Sequence, residues 1–356
     1  MFYNKIINKI IIIIIFVFIY SYKYYYLKYY KLKKRIGVIG LDHSQNVGNN
    51  LLKFAIFIKL KELGFNPFII GRQFENQNIS FIENTTNIKL IKNFSEINEN
   101  DYDILMVNSD QTWRRWDENF YNIAFLKFAE KWKIPKFIYG ASLGYEEWKF
   151  TKEDEKIAKH LLKNFKGISV REKYAVELIK KFLGFEVQYV LDPTFLINKK
   201  IYLDLIKNYQ SDVIKEINND NYIFVYIIIE SNIIENYIKY VSKALNLKIF
   251  YINIFQTNQV KEFLYGIINC KAVITDSFHG TVFSIIFKKP FVSFVNILND
   301  RSRFNNLDEI FNISNRIFYL NSTPPISLLN QPIDYNPRKL IKLRIASIDY
   351  LKKNLS

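Results

Sequence analysis

Short apolar runs alternate with amphipathic stretches from residue 36 onward. Ile36 to Leu41 predicts a buried strand, and Asn49 to Leu63 has apolar residues three and four positions apart, as a helix does. Similar runs predict strands at 67–70, 103–107, 136–139, 167–170 and 187–190, and helices at 153–165 and 171–183. Gly64 and Gly184 directly follow two of these helices, where glycine commonly ends a helix.

A polar stretch, 207–221, interrupts the alternation, which then resumes. Strands are predicted at 222–229, 248–252, 272–275 and 291–294, helices at 233–245, 259–268 and 281–287, and a final helix at about 337–353. Alternating strands and helices predict parallel sheets that are covered on both faces. We therefore expect an α/β protein with two doubly wound, Rossmann-like domains, 36–206 and 207–336, that face a cleft, followed by a C-terminal helix at 337–356.

The N-terminal residues 1–35 have a different pattern. The run from Ile6 to Tyr22 is almost entirely apolar or aromatic and would form a helix of roughly 25 Å, slightly shorter than the hydrocarbon core of a bilayer. More lysines follow this run than precede it, which favours a cytoplasmic position for the rest of the chain. Residues 6–35 are thus predicted to be a membrane anchor with a basic linker. The alternative is an apolar extension that packs on a cytoplasmic protein.

Charge and cysteine content narrow the function classes. The net charge is +16, but the lysines are scattered and no nucleic-acid-binding motif accompanies them, so we expect no nucleic-acid partner. Anionic substrates or an anionic membrane surface explain the basicity equally well. The single cysteine, Cys270, excludes an internal disulfide and a cysteine-rich zinc site. We expect no metal site.

The most informative segment follows the predicted strand 272–275. The apolar run stops at Asp276 and Ser277, and His279 and Gly280 lie at the start of the next helix. Unpaired backbone N–H groups and the helix dipole make such a junction suitable for an anion. The imidazole of His279 can donate or accept a proton near neutral pH. The alternative is that its ring only braces the turn at Asp276.

Polar side chains also follow the other predicted strands, at the edge where open α/β sheets bind ligands. Asp110 and Asp192 are candidates for acid–base work, and Arg171, Arg301 and Arg303 are candidates for holding an anion. Structural alternatives stay open: Asp110 and Asn49 can cap helices, Asp192 can be a turn residue, and Arg171 can form a surface ion pair. Further candidates for the cleft loops are Asn46, Gly48, Asn49, Gln111, Trp113 and Ser142.

Together these motifs resemble the polysaccharide pyruvyl transferase family, over about residues 36–310. The resemblance rests on Asn46-Val47-Gly48, Ser109 to Trp113, Ala141 to Gly144, Ser169 to Glu172, Asp192 to Thr194, Asp276 to Thr281 and a later Arg-x-Arg-Phe, in that order. It departs from some members at Ser277, where they have an arginine, so we expect Arg301 or Arg303 to replace that positive charge.

The resemblance implies a glycosyltransferase-B-like arrangement of the two domains. It also implies a phosphoenolpyruvate donor, a glycan or lipid-linked sugar acceptor, a pyruvate ketal product and released phosphate, with no cofactor. On this basis His279, Asp110 and Asp192 are predicted to be catalytic, and Arg171, Ser277, Gly280, Arg301 and Arg303 to bind the donor. Two other functions fit the same frame: a nucleotide-sugar glycosyltransferase, and a non-catalytic glycan-binding protein.

Overall fold

A computed structural model describes residues 33–40, 46–72, 80–108, 110–114, 119–211, 221–252, 259–295 and 301–356. The predicted N-terminal anchor lies almost wholly outside these residues. Ser109 also lies outside them. Within the described ranges, no helix has both the length and the apolar character needed to cross a membrane.

The first sheet has seven parallel strands in the order β3-β2-β1-β4-β5-β6-β7. Its strands are β1 (Arg35–Ile39), β2 (Asn66–Arg72), β3 (Ile88–Ile91), β4 (Ile104–Val107), β5 (Lys136–Ala141), β6 (Gly167–Val170) and β7 (Gln188–Tyr189). The helices of this half are α1 (Val47–Glu62), α2 (Ser80–Thr85), α3 (Phe120–Phe125), α4 (Lys152–Leu162), α5 (Lys173–Leu183) and α6 (Lys199–Ile206). Every residue of β4 and β5 is buried, as expected for central strands with helices on both faces.

The second sheet has five parallel strands in the order β12-β11-β10-β8-β9. Its strands are β8 (Tyr222–Tyr226), β9 (Lys248–Tyr251), β10 (Ala272–Thr275), β11 (Phe291–Val295) and β12 (Ile317–Tyr319). Its helices are α7 (Asn232–Leu245), α8 (Val260–Asn269), α9 (Phe278–Ile286) and α10 (Arg301–Phe311). The two halves meet where α1 contacts α8 and α9, and where α6 contacts α8.

The predicted fold class is confirmed: the chain is α/β with two parallel sheets. β6 and β10 have the bounds that the sequence predicts. The edge strands β3 and β12 were not predicted, because they are only partly buried and lack a long apolar run. Helix α9 begins three residues before the predicted start, because the Ser277 side chain caps it by accepting from the Gly280 N–H. The predicted domain boundaries remain a prediction.

The last helix, α11 (Pro337–Leu355), crosses back from the second half and packs on the first sheet. The Tyr350 hydroxyl donates to the Ile138 carbonyl at 2.7 Å, and the Leu191 N–H donates to the Ser347 hydroxyl at 2.9 Å. Gly167 in β6 is required beneath this helix, since a Cβ there would overlap the Asn354 side chain. The final segment thus closes the core of the first half.

Leu351→Ala is expected to lower the free energy of unfolding by about 2–5 kcal/mol, because Leu351 lies on the buried face of α11 and its truncation leaves a cavity. Ile345→Ala is the matched control on the same helix. Ile345 is 56% exposed, so its truncation should change stability by less than about 0.5 kcal/mol. Urea unfolding of both variants measures this difference, and equal losses would contradict the packing of α11.

Candidate active site

The carboxyl ends of the parallel strands bring the predicted site residues to one place. Asp110 follows β4, Arg171 follows β6 and Asp192 follows β7, all at the same edge of the first sheet. His279 follows β10 and Arg303 follows β11 in the second sheet. Because the two edges face each other, residues from both halves lie in contact.

Arg171 is the centre of this arrangement. Its guanidinium donates to Asp192 Oδ2 at 2.6 Å, to Glu172 Oε1 at 3.2 Å and to Asp110 Oδ1. Only 3% of Arg171 is exposed, so a surface ion pair is the wrong interpretation of this residue. Arg303 Nη1 reaches the same Asp110 carboxylate, with both of its oxygens at 3.2 Å. We call Asp110, Arg171, Glu172, Asp192 and Arg303 the arginine–carboxylate cluster.

Charge pairing sets the protonation of this cluster. Burial opposes ionisation of Asp110, but Arg171 and Arg303 outweigh it and lower the pKa of Asp110 to about 2. Burial also opposes ionisation of Asp192, but His279 and Arg171 hold its pKa below the usual range. At Glu172 burial prevails over Arg171 and raises the pKa. At Arg171 burial disfavours the charge, yet the three carboxylates raise its pKa. Asp110 and Asp192 are therefore anions at neutral pH.

His279 lies beside this cluster, in the first turn of α9. It is 3% exposed, and its Nε2 atom has no hydrogen-bond partner among the described residues. The nearest carboxylate oxygen is Asp192 Oδ2, at 3.7 Å. The Asp276 carboxylate accepts from the N–H groups of Ile228 and Ile229 at 2.6 and 2.8 Å. His279 therefore stays a candidate for proton transfer.

Helix α1 packs closely against the His279 ring. A Cβ built on Gly48 would overlap Nδ1 of His279 and lie 2.5 Å from its Cγ, so the position requires glycine. The helix begins at Asn46, whose side chain accepts from the Asn49 N–H at 3.0 Å. Asn49 is buried, and its Oδ1 accepts from the Asp110 N–H at 3.4 Å. The α1 N-terminus therefore connects His279 with the arginine–carboxylate cluster.

Other predicted site residues lie elsewhere or have structural contacts. The Trp113 indole packs against Phe125 and Phe150 and donates to the Ala124 carbonyl. Arg301 is exposed at the start of α10. Ser277 caps α9, and Gly280 packs closely on Thr275. Arg303, rather than Arg301, therefore supplies the second charge.

Two further predicted positions lie behind the cluster. Gln111 has a left-handed φ of 46° and accepts from Arg114 Nη1 at 3.1 Å. Ser142 is fully buried, and its interaction with Glu172 lowers the pKa of that carboxyl against the larger effect of burial. Within the described ranges, no group of three or more histidine, cysteine or acidic side chains is arranged to hold a metal ion.

Sequence reasoning missed three residues of this site. Glu172 and Phe278 each stand next to a predicted residue, so the motifs contained them without indicating a role. Asn306 carried no signal. Its side-chain amide donates to the Arg171 carbonyl at 3.0 Å, and its oxygen accepts from the Lys173 N–H at 3.3 Å. Asn306 thereby fixes the backbone of the first half to α10 of the second.

Solved structures show the same fold at low sequence identity. A UDP-GlcNAc 2-epimerase from Methanocaldococcus jannaschii has a TM-score of 0.54 at 14% identity, over 88% of this chain and 99% of that one. S. aureus MnaA with UDP has a TM-score of 0.53 at 12% identity, over 90% and 98%. Arabidopsis thaliana UGT89C1 with UDP-L-rhamnose has a TM-score of 0.52 at 10% identity, over 91% and 97%. These similarities confirm a glycosyltransferase-B-like fold.

A comparison with curated proteins gives no match. The family model of polysaccharide pyruvyl transferases matches residues 46–297, a range that begins at the cap of α1 and includes Asp110, Arg171, Asp192 and His279. The order of motifs along the sequence and this match over more than half of the chain agree: the protein belongs to the polysaccharide pyruvyl transferase family.

Proposed function

We propose that this protein transfers the pyruvyl group of phosphoenolpyruvate to hydroxyls of a sugar in a polysaccharide or its precursor. The product is a pyruvate ketal, and phosphate is released. The observation that carries this proposal is the position of His279 Nε2, which is buried without a hydrogen-bond partner in the described residues and lies 3.7 Å from Asp192, a carboxylate that also accepts from Arg171 of the arginine–carboxylate cluster. An acid next to paired cations suits an anionic enol donor.

The reaction requires one proton transfer to carbon. His279 protonates the methylene carbon of the donor, and a sugar hydroxyl attacks the neighbouring carbon, which has become electron-deficient. A second hydroxyl of the same sugar then displaces phosphate and closes the ketal. The first hydroxyl loses its proton, which offsets the proton that was added to carbon. The proton of the second hydroxyl leaves with phosphate. Asp192, 3.7 Å from His279, stabilises the protonated imidazole before the transfer.

The arginines bind the donor at the expense of contacts within the cluster. Asp110 touches Arg171 and Arg303 together, so an incoming carboxylate or phosphate competes with it for the same N–H groups. A displaced Asp110 is then positioned to accept a proton from the attacking hydroxyl. Donor binding and activation of the acceptor are coupled in this way through one carboxylate.

Phosphate release from phosphoenolpyruvate is expected only when a sugar with two free neighbouring hydroxyls is present. The assay uses a panel of glycosides and follows phosphate colorimetrically and the ketal by mass spectrometry. His279→Gln should reduce the rate by about 100-fold or more, since proton transfer by a positioned side chain contributes about 10²–10⁴-fold. His160→Gln is the matched control, because the His160 side chain is 66% exposed and its ion pair is with Glu130, away from the arginine–carboxylate cluster.

Two results would replace this proposal. Saturable UDP binding without phosphoenolpyruvate binding, measured by calorimetry, would indicate a nucleotide-sugar glycosyltransferase. Glycan binding by folded protein without phosphate release would indicate a non-catalytic binding protein.

Parental activity in chelator-treated protein would support a reaction without cofactor or metal. Membrane association through residues 6–35, at the cytoplasmic face, remains a prediction that fractionation of cells with and without this segment tests.

A further inference from the structure

Phe278 contacts both arginines of the cluster and has no role in the chemistry described above. The Cζ atom of Arg171 is 4.8 Å from the centre of the Phe278 ring, and the Cζ atom of Arg303 is 5.0 Å from the same point. Each guanidinium lies over the ring, within the range of a cation–π interaction. One aromatic side chain thus contacts a cation from each half of the molecule.

The packing around Phe278 leaves it little freedom. The residue is 6% exposed, and its ring makes edge contacts with His279 at 5.2 Å and Phe304 at 6.1 Å between centroids. The cavity beside Phe278, Arg171 and Arg303 has a volume of only about 10 Å³, which is room for about one water. A change in the ring is therefore transmitted to the guanidinium groups.

The Phe278 ring also attracts both guanidinium groups, which lie close together. Both arginines bind Asp110, which brings two positive groups close together in a buried place. The negative face of an aromatic ring attracts both cations, while the ring itself occupies space that water would otherwise fill. An aliphatic side chain of similar size fills the space without this attraction.

We propose that Phe278 is a positioning residue that fixes the spacing of Arg171 and Arg303 for the anionic donor. The inference rests on the proposed function only for its kinetic consequence, since the ring–guanidinium contacts exist in the free protein. Phe278 adjoins His279 in the chain, so one turn of α9 presents the proton donor and sets the distance between the cations.

The test compares Phe278→Leu with Phe278→Tyr in the full chain. The leucine variant should raise the KM for phosphoenolpyruvate about tenfold with little change in kcat, because two cation–π contacts are lost while His279 stays in place. The tyrosine variant should restore the parental KM. Phe283→Leu is the control: it removes a fully buried ring of the same helix that contacts Tyr202, Phe263 and Phe287.

A second measurement does not depend on turnover. Arginine side-chain NMR signals of Arg171 and Arg303 should show upfield ring-current shifts that disappear in Phe278→Leu, persist in Phe278→Tyr and are unchanged in Phe283→Leu. If the parent protein shows these shifts but no turnover, the positioning role stands and the proposed donor is wrong. Parental KM and shifts in Phe278→Leu, or an equal rise in KM in Phe283→Leu, would overturn the inference.

Discussion

Replacing Gly48 by alanine is expected to reduce the proposed pyruvyl transfer by about 100-fold and to destabilise the protein, although alanine normally stabilises a helix by about 1 kcal/mol relative to glycine. The added Cβ would overlap the His279 ring, which then has to leave its position beside Asp192. A reacting group that moves by about 1 Å commonly loses a factor of this size. Steady-state kinetics and urea unfolding measure the two effects.

The double variant Gly48→Ala/His279→Ala separates stability from chemistry. With the ring removed the methyl group has space, so stability should return toward that of His279→Ala while activity stays low; such coupling between contacting residues is the expected behaviour. Gly71→Ala is the control in β2, because a Cβ there meets its nearest atom at an ordinary 3.7 Å. Parental activity in Gly48→Ala would show that His279 does not work from this position.

Arg171→Met should lower the free energy of unfolding by about 3–5 kcal/mol at neutral pH, because it leaves buried carboxylates without their main partner. Arg171 contacts Asp110, Glu172 and Asp192, and no other described residue pairs with all three. Methionine keeps an unbranched apolar side chain, which is shorter than that of arginine, and removes the charge and its N–H donors. The proposed activity should be lost as well, since one of the two cations that we propose to bind the donor is missing.

The pH dependence of this loss has a defined sign. In the parent protein the lowered pKa of Asp110, about 2, and the lowered pKa of Asp192 give stabilisation that is present above the unfolded value near 4 and is lost only as the pH falls through the folded values. In the variant, only His279 and Thr194 oppose burial at Asp192, so we expect its pKa to rise above the unfolded value and the folded state to lose stability as the pH rises above about 4.

Urea unfolding at pH 5 and pH 7.5 tests this sign. The destabilisation by Arg171→Met should be larger at the higher pH. Arg301→Met serves as the control, because Arg301 is exposed and its replacement should change stability by less than about 0.5 kcal/mol. Equal destabilisation by Arg171→Met at both pH values would mean that the carboxylates are not held ionised by this arginine.

The fold was predictable from the sequence because its central strands are buried on both faces. Runs such as Ala272 to Thr275 are bounded by a lysine and an aspartate, so the pattern marks both ends of the strand. The edge strand β12 has only partly buried residues, and its short run resembles a loop. Burial on both faces, rather than local preference, made the difference.

That Asp110, Arg171, Asp192, His279 and Arg303 come together was predictable from the sequence, but their contacts were not. Parallel strands place Asp110, Arg171 and Asp192 at one edge, which the alternation of strands and helices already implies. The pairing of Arg303 with Asp110 and the contact of His279 with Gly48 depend on how the halves meet, which no local pattern encodes. Trp113, predicted as a cleft-loop residue, packs against Phe125 and Phe150, which its place in a polar motif did not indicate.

The return of α11 to the first sheet has a consequence for biosynthesis. During translation, β1 to β7 emerge from the ribosome long before residues 337–355, and until then the surface around Ile138 and Leu191 lacks its cover. The first half therefore exposes apolar surface until α11 has been synthesised and packs on it, and such surface is prone to aggregate. Chaperones that shield exposed apolar surface should engage this intermediate, and premature stop codons should damage the lobe that was made first.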